Sequence, residues 1–191
     1  MPSDHLSPRR VALVSGAGRG IGASIAAALA KGGADIALNY NRDEAAAQET
    51  AARLTALGAR VRLYQGSVGE AADCAAIVEA AVRDFGRLDI LVHNAGIASR
   101  GLPVAKTAPE EVEKLMRVHA FGAFYLAHYA LPHLLAAPRG DIVMLSSIAT
   151  AATPAGGAPY TMAKAAIEAL ARTLAKEVNR SGIRVNVVAP A

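Results

Sequence analysis

Short apolar runs alternate with longer segments of helical periodicity along this chain. The apolar runs are rich in Val, Ile and Leu, and each predicts a buried strand: RVALVSG, ADIALNY, ARVRLYQG, LDILVHNAG, DIVMLSS and IRVNVVAP. Between them, apolar residues recur with helical spacing over 21–31, 43–57, 70–85, 109–135 and 160–180. Strands joined through helices favour a parallel sheet, and their continuous apolar character fits burial on both faces. The pattern predicts an α/β fold with a doubly wound parallel sheet in three layers, αβα.

Length and composition fit a single domain. A chain of 191 residues with 53% hydrophobic and 19% charged residues can bury a sizeable core. We expect an N-terminal tail over 1–10 and one domain over 11–191. Residues 118–138 lack Asp, Glu, Lys and Arg, but three histidines and Pro132 favour a buried helix over a membrane span. Because MPSDHLSPRR has no apolar segment behind it, we expect no signal peptide, no membrane anchor and a cytoplasmic location.

The net charge of +4 does not indicate nucleic-acid binding. The basic residues are scattered, with Arg9 and Arg10 as the only notable adjacent pair, so we expect no nucleic-acid partner. The charge fits solubility and an anionic ligand. Cys74 is the sole cysteine, which excludes an internal disulfide and a cysteine-based metal site and permits a reducing compartment.

A glycine-rich loop, SGAGRGIGAS, follows the first predicted strand. Glycine permits positive φ and lacks the Cβ that would keep a phosphate away from backbone N–H groups at a helix N-terminus. Two registers fit this loop. Gly18, Gly20 and Ala23 match the G-x-G-x-x-G/A dinucleotide fingerprint, whereas Gly16, Gly20 and Gly22 match G-x-x-x-G-x-G. Either register predicts a nucleotide site, since a merely tight turn would rarely need four glycines.

The end of the second strand bears on the choice of cofactor. An NAD site usually places an acid there to bond the ribose 2′-hydroxyl, but this chain has Tyr40 and Asn41, followed by Arg42. Arg19 also projects from the glycine loop. Guanidinium groups without a facing carboxylate suit a 2′-phosphate, so NADP(H) is favoured over NAD(H). The alternative is that both arginines are solvated surface residues.

In the stretch YTMAK, Tyr160 precedes Lys164 by four residues. On a helix this spacing places the phenol and the ammonium on one face, one turn apart. Taken alone, the pair is more typical of the polar stripe of an amphipathic helix than of a catalytic site. The rest of the chain decides between these interpretations.

Several motifs together resemble the short-chain dehydrogenase/reductases, in particular the bacterial 3-oxoacyl-[acyl-carrier-protein] reductases. They are SGAGRGIG in the G-x-x-x-G-x-G register, HNAG, the serine of MLSS, YTMAK and VNVVAP, in the family's order and at its spacing. The resemblance covers 11–191 and implies a single-domain Rossmann-type fold. Family members of this type run to about 250 residues, so a C-terminal part with the substrate loop and a strand used in tetramer packing is expected to be missing here.

The resemblance assigns catalytic roles. Ser147, thirteen residues before Tyr160, would donate a hydrogen bond to the substrate oxygen, and its neighbour Ser146 would point elsewhere. Tyr160 would be the acid in carbonyl reduction and the base in alcohol oxidation. The charge of Lys164 would stabilise tyrosinate, and its ammonium would bond the nicotinamide ribose.

The resemblance also completes the expected cofactor site. Asn94 would brace the sheet while Ala95 and Gly96 admit the cofactor, although a strand-ending turn is the alternative. Ser67 stands where many members have an aspartate near adenine, and a hydroxyl would bond adenine more weakly. The expected cofactor contacts are Gly16, Arg19, Gly20, Ile21, Gly22, Tyr40, Asn41, Arg42, Ser67, Val68, Asn94, Ala95, Gly96, Tyr160, Lys164 and Pro190.

His119 departs from the family pattern, because it stands where a V-N-x-x-G motif usually has asparagine. That residue helps position the water relay that returns protons to the lysine. Histidine can donate and accept hydrogen bonds, so His119 is a candidate catalytic residue, with a structural substitution or reduced turnover as the alternative. A relay role predicts a titration near pH 6.5 in the rate profile, as for an ordinary imidazole.

We therefore expect an NADP(H)-dependent oxidoreductase that interconverts a carbonyl and a secondary alcohol, with a small molecule or a 3-oxoacyl thioester as substrate. A homo-oligomer, dimer or tetramer, is expected if the C-terminal part is present. The alternative function is a nucleotide-binding scaffold or redox sensor with little or no turnover, to which His119 points. Oxidation of the cofactor with a panel of ketones separates the two.

Overall fold

The computed structural model describes residues 9–191, so most of the predicted tail over 1–10 lies outside the described residues. Six parallel strands form one sheet in the order β3-β2-β1-β4-β5-β6. They are β1 (Val11–Val14), β2 (Asp35–Tyr40), β3 (Val61–Gln65), β4 (Ile90–His93), β5 (Asp141–Leu145) and β6 (Arg184–Val188). The strand order reverses between β1 and β4, and ligands of such sheets bind at that point, beyond the carboxyl ends of the strands.

Helices connect the strands and cover both faces of the sheet. They are α1 (Gly20–Lys31), α2 (Glu44–Ala56), α3 (Ala71–Phe85), α4 (Pro109–Met116), α5 (Gly122–Ala136), α6 (Ala149–Ala152) and α7 (Ala158–Glu177). A single 3₁₀ turn, Val104–Lys106, precedes α4. The predicted doubly wound, three-layer α/β fold is confirmed. Within 9–191 we find no helix both long enough and apolar enough to cross a bilayer.

The core is divided by the sheet into two apolar layers. Along β1, Val11 and Leu13 pack into the layer formed with α3, α5 and α7, whereas Ala12 and Val14 pack into the layer formed with α1 and α2. All four side chains are buried. This two-sided burial explains why the strand is a continuous apolar run in the sequence.

The helix predicted over 109–135 changes from α-helical to π-helical conformation in its middle. α4 and α5 are separated by five residues in π-helical conformation, Arg117–Phe121, so the segment is continuous but locally widened. A π turn needs one extra residue, which does not disturb the spacing of apolar residues enough to show in the sequence. Such turns are frequent at functional sites, and this one carries His119.

Candidate active site

One large cavity lies at the carboxyl edge of the sheet. Its volume is about 1130 Å³, and residues that follow each of the six strands line it. All the predicted site residues except Gly20 are among the lining residues: Ser147, Tyr160, Lys164, His119, Gly16, Arg19, Ile21, Gly22, Tyr40, Asn41, Arg42, Ser67, Val68, Asn94, Ala95, Gly96 and Pro190. The fold thus brings together residues that are up to 174 positions apart, from Gly16 to Pro190.

The glycine loop adopts the G-x-x-x-G-x-G register. Gly16 has a φ of 62° and Gly20 a φ of 59°, a region that disfavours other residues. A Cβ on Gly22 would collide with the Gly16 carbonyl and lie 2.5 Å from Asn94 Nδ2. Gly18, in contrast, would place a Cβ at an ordinary 3.5 Å from Ala47. The other register therefore has no steric basis at Gly18.

The first turn of α1 fits the pyrophosphate of a dinucleotide. The helix begins at Gly20, and its N-cap residue, Arg19, makes no capping hydrogen bond with its side chain. Backbone N–H groups at this end are therefore available to an anion, which the positive end of the helix dipole also favours. The missing Cβ atoms of Gly16 and Gly22 leave the backbone open to close approach.

Two of the residues expected near the cofactor ribose, Tyr40 and Arg19, make contacts that the sequence did not reveal. Tyr40 lines the cavity but is only 8% exposed and belongs to the core, so an acid could not replace it without burying a charge. Arg19 does have a facing carboxylate, because its Nη1 lies 3.4 Å from Asp43 Oδ2. Both side chains are well exposed, and an exposed pair of this length contributes little to stability. Asn41 and Arg42 are exposed.

The segment after β3 is held by its own hydrogen bonds. The backbone N–H of Ser67 donates to Asp73 Oδ2 at 2.8 Å, and the Gly69 N–H donates to the Ser67 hydroxyl at 3.3 Å. Val68 is buried. The Ser67 hydroxyl proton remains available to a ligand in the cavity.

The ends of β1 and β4 are joined by a buried polar network. Asn94 Nδ2 donates to the carbonyls of Ser15 and Gly16 at 3.0 and 3.1 Å. The Ser15 hydroxyl accepts from the N–H groups of Asn94 and Ala95, both at 3.0 Å, and lies 3.4 Å from His93 Nδ1. Because its oxygen is already accepting two bonds, the hydroxyl proton is directed to His93. The network therefore holds the ends of β1 and β4 in place beside the expected cofactor site.

Lys164 is a buried cation in contact with the strand end. It is 4% exposed, and its Nζ donates to the Leu145 carbonyl at 2.6 Å. The ammonium lies 5.7 Å from the centroid of the Tyr160 ring. Burial lowers the pKa of Lys164 to about 8, so the residue is mainly charged at neutral pH but loses its proton in mildly alkaline solution.

Ser146 and Ser147 follow β5 and make different contacts. The Ser146 hydroxyl donates to Glu168 Oε1 at 2.6 Å. The Ser147 hydroxyl accepts a bond from the Ala149 N–H at 3.2 Å, which leaves its proton free to donate into the cavity. The two neighbouring serines therefore differ: the Ser146 hydroxyl is bonded to Glu168, whereas the Ser147 hydroxyl can donate to a ligand.

His119 lies in the π-helical segment, edge-on to the catalytic candidate on α7. The ring centroids of His119 and Tyr160 are 5.4 Å apart with an interplanar angle of 87°. Its Nε2 lies 2.9 Å from the Ile97 carbonyl and 3.1 Å from the Ile97 backbone nitrogen, whereas its buried Nδ1 has no partner among residues 9–191. Burial, and then the charge of Lys164, lower the pKa of His119 to about 4. The expected titration near pH 6.5 therefore needs correction, because this imidazole stays neutral throughout the physiological range.

His93 is a second buried imidazole that the sequence analysis passed over. Its Nε2 lies 3.0 Å from the His119 carbonyl, so it donates a hydrogen bond there when Nδ1 accepts from Ser15. Burial, and then the charge of Lys164, lower its pKa to about 3. Both histidines are accordingly neutral parts of the folded site.

These two lowered pKa values predict an acid-sensitive fold. An unfolded imidazole binds a proton below about pH 6.5, while the folded state excludes it until the pH approaches the lowered value. The stabilisation is complete above pH 6.5 and is lost as the pH falls, by about 1.4 kcal/mol per pH unit for each histidine. Urea denaturation between pH 7 and pH 4.5 should show a loss of about 3–5 kcal/mol from the two together.

Two variants test the assignment. His119→Asn should remove about half of this pH dependence, since one of the two buried imidazoles is gone. His128→Asn is the matched control, because His128 is exposed on α5, and it should leave the slope unchanged. A parental slope in His119→Asn would contradict the neutral buried imidazole.

The sequence of this chain matches that of a known protein family. The family model described as short chain dehydrogenase matches residues 10–191. The chain belongs to the short-chain dehydrogenase family. Its members are oxidoreductases that use a nicotinamide cofactor.

Curated relatives and solved structures agree with this membership. Hydroxynaphthalene reductase arp2 of Aspergillus fumigatus is 37% identical over 182 residues, which are 95% of this short-chain dehydrogenase and 66% of that protein. Versicolorin reductase 1 of Aspergillus parasiticus is 37% identical over 194 residues, 100% of this chain and 72% of that protein. The crystal structure of NAD⁺-bound xylitol dehydrogenase has a TM-score of 0.91 at 31% identity and covers 96% of this chain and 71% of that one. The chain thus spans about two thirds of the length of the hydroxynaphthalene reductase.

Sequence reasoning missed several polar residues that shape the site of this short-chain dehydrogenase. Besides Ser15 and His93, they include two glutamates. Glu111 on α4 accepts through Oε1 from the Ser99 hydroxyl and the Arg100 N–H, at 2.8 and 2.7 Å, and Glu168 on α7 accepts from Ser146. The only signal in the sequence was the position of Glu168, four residues after Lys164 on the same helix face.

Proposed function

We propose that this chain is an NADP(H)-dependent oxidoreductase that interconverts a carbonyl and a secondary alcohol. The observation that carries the proposal is the convergence, in one cavity, of Tyr160, Lys164 and Ser147 with the glycine loop at the start of α1. A phenol, a buried cation and a free hydroxyl suit proton transfer to a carbonyl oxygen, and the loop suits a dinucleotide.

Each side chain has a chemical task in this proposal. The bound nicotinamide would supply or accept the hydride. Tyr160 would donate its proton to the carbonyl oxygen in reduction and take it back in oxidation, while Ser147 would orient that oxygen by a hydrogen bond. Lys164, mainly charged at neutral pH, would stabilise the tyrosinate left after proton donation. His119 is neutral and lies edge-on to Tyr160. It would help to position the water relay that returns protons to Lys164.

Turnover of ketones tests the proposal. NADPH oxidation would be measured with a 3-oxoacyl thioester, which is our first candidate substrate, and with a bicyclic ketone such as 2-tetralone. The second class is included because two relatives are named for reducing hydroxynaphthalene and versicolorin. Oxidation with either class would support the enzyme. Binding of NADPH without oxidation by any ketone would favour the scaffold or redox sensor.

The preference for NADP(H) is supported by the lack of an acid at Tyr40 and Asn41 and by the cations Arg19 and Arg42, of which Arg19 shares its charge with the exposed Asp43 carboxylate at 3.4 Å. We expect NADPH to bind more tightly than NADH in a fluorescence titration, and added salt to reduce the difference. The exposed position for an added acid is Asn41, since Tyr40 is buried. Asn41→Asp should shift selectivity toward NADH through repulsion of the 2′-phosphate.

Asn41→Ala is the matched control for this experiment. It removes the same amide without adding a charge, so it should retain the parental order of affinities. Equal or tighter NADH binding by the parent would refute the preference for NADP(H).

We also propose that the protein is a homo-oligomer when the C-terminal part expected from the family resemblance is present. Large apolar side chains are exposed on the π-helical segment, α5 and α7: Phe121 is 44% exposed, Phe124 52% and Met162 52%. A second copy would remove this surface from water. Light scattering should give a mass of at least two chains, and Phe124→Glu should lower it, whereas a monomeric parent would contradict the proposal. A cytoplasmic location remains a prediction from the sequence.

A further inference from the structure

Three residues at four-residue intervals on α7 face the end of β5. Tyr160 and Lys164 are the first two, and Glu168 is the third. We propose that Glu168 is a positioning residue, which holds the segment around Ser147 in a fixed place relative to Tyr160. The inference rests on the proposed function, because it concerns the geometry of the same site.

The carboxylate of Glu168 holds the chain on both sides of Ser147. Its Oε1 accepts from the Ser146 hydroxyl at 2.6 Å and from the Thr150 hydroxyl at 2.8 Å, which is shorter than the 3.0 Å from that hydroxyl to the Ser147 carbonyl. These donors lie one residue before and three residues after Ser147. The backbone that carries the Ser147 hydroxyl is therefore tied at two points to a single oxygen atom on α7.

The charge state of Glu168 suits this role. The hydroxyls of Ser146 and Thr150 donate to it and so lower its pKa, which keeps the group an ionised acceptor. Its other oxygen, Oε2, lies 3.5 Å from Arg172 Nη1, one turn further along α7. Hydrogen bonds to an ionised acceptor are shorter and stronger than those between neutral groups.

Lys164, on the same helix as Glu168, makes a further hydrogen bond to this stretch of chain. Lys164 donates to the carbonyl of Leu145, the residue before Ser146. The helix that carries Tyr160 thus holds three positions in the stretch from Leu145 to Thr150. Catalytic groups need to be placed to within about 0.5 Å, and a shift of about 1 Å can reduce a rate by about 100-fold. Glu168 is not among the residues that line the cavity, so its effect on the rate would be indirect.

The test compares Glu168→Leu with Glu168→Gln in the full chain. Leucine removes the acceptor, whereas the glutamine carbonyl can still accept from both hydroxyls. With Glu168→Leu, kcat should fall about 10- to 100-fold with little change in the KM for NADPH. Glu168→Gln should restore kcat to within about threefold of the parent, and Arg172→Ala, which removes only the contact at Oε2, should stay equally close.

Hydrogen exchange gives a measurement that needs no turnover. The N–H groups of Ile148 and Thr150 are bonded to Pro190 and Ser147, so their exchange reports on the order of this segment. They should exchange at least about tenfold faster in Glu168→Leu than in the parent, and at nearly the parental rate in Glu168→Gln.

The outcomes are separable. Parental exchange over 146–152 in Glu168→Leu overturns the positioning role whatever the activity. Faster exchange with an unchanged kcat also overturns it, since the segment would then be held for stability alone. Failure of Glu168→Gln to restore either quantity overturns the assignment to the accepted hydrogen bonds. A parent that shows no turnover contradicts the proposed function, while the exchange measurement still decides whether Glu168 holds the segment.

Discussion

Replacing Tyr160 with phenylalanine is expected to lower turnover at least about 100-fold, the usual contribution of general acid catalysis, while cofactor affinity stays within about threefold of the parent. The substitution removes one hydroxyl and keeps the ring that lies edge-on to His119 and near Lys164. Steady-state rates with the best ketone of the panel, together with NADPH titration, measure the two quantities.

Tyr129→Phe provides a matched control, because Tyr129 is a partly buried tyrosine on α5 that packs against the core. Its turnover should equal that of the parent. If Tyr160→Phe kept a rate within threefold of the parent, Tyr160 could not be the proton donor.

Gly22→Ala is expected to destabilise the fold and to weaken cofactor binding. The new Cβ would meet the Gly16 carbonyl and Asn94 Nδ2, and both belong to the network that joins β1 to β4. Overpacking of this kind costs about 1–3 kcal/mol, and movement of the loop should weaken NADPH binding at least about tenfold. Urea denaturation and fluorescence titration would measure the two effects.

Gly18→Ala is the matched control for stability. Its Cβ would lie at an ordinary distance from Ala47, and Gly18 is not among the glycines with positive φ, so its free energy of unfolding should change by less than about 0.5 kcal/mol. Equal destabilisation by the two substitutions would contradict the steric account of the loop.

The sequence was enough to predict the sheet and most of its helices. The apolar runs correspond to β1 through β6, and β1 and β4 are buried on both faces as predicted. The edge strands β3 and β6 are largely exposed or half-buried, so for them the predicted burial was wrong. The π-helical segment around His119 was beyond prediction, since it depends on one inserted residue and on contacts with Ile97 and β4. Local periodicity contains no information about such contacts.

The composition of the site was easier to predict than its electrostatics. Residue types and spacing indicated the residues that line the cavity, but the ionisation of His119 depends on burial, which only the packed structure reveals. The same holds for Tyr40, which lies at the end of β2 and lines the cavity but has its side chain packed in the core. The Asp43 partner of Arg19 is close in space but 24 residues away in the chain.

The two glutamates that hold the loops have a consequence for the kinetics of ligand entry. Glu111 on α4 holds Ser99, which lines the cavity, together with Arg100, and Glu168 on α7 holds the segment around Ser147, which also lines it. The helices α4 and α7 pack against each other. We therefore expect opening of the cavity to involve both segments together, so that loss of either carboxylate, in Glu111→Leu or Glu168→Leu, changes the ligand association rate.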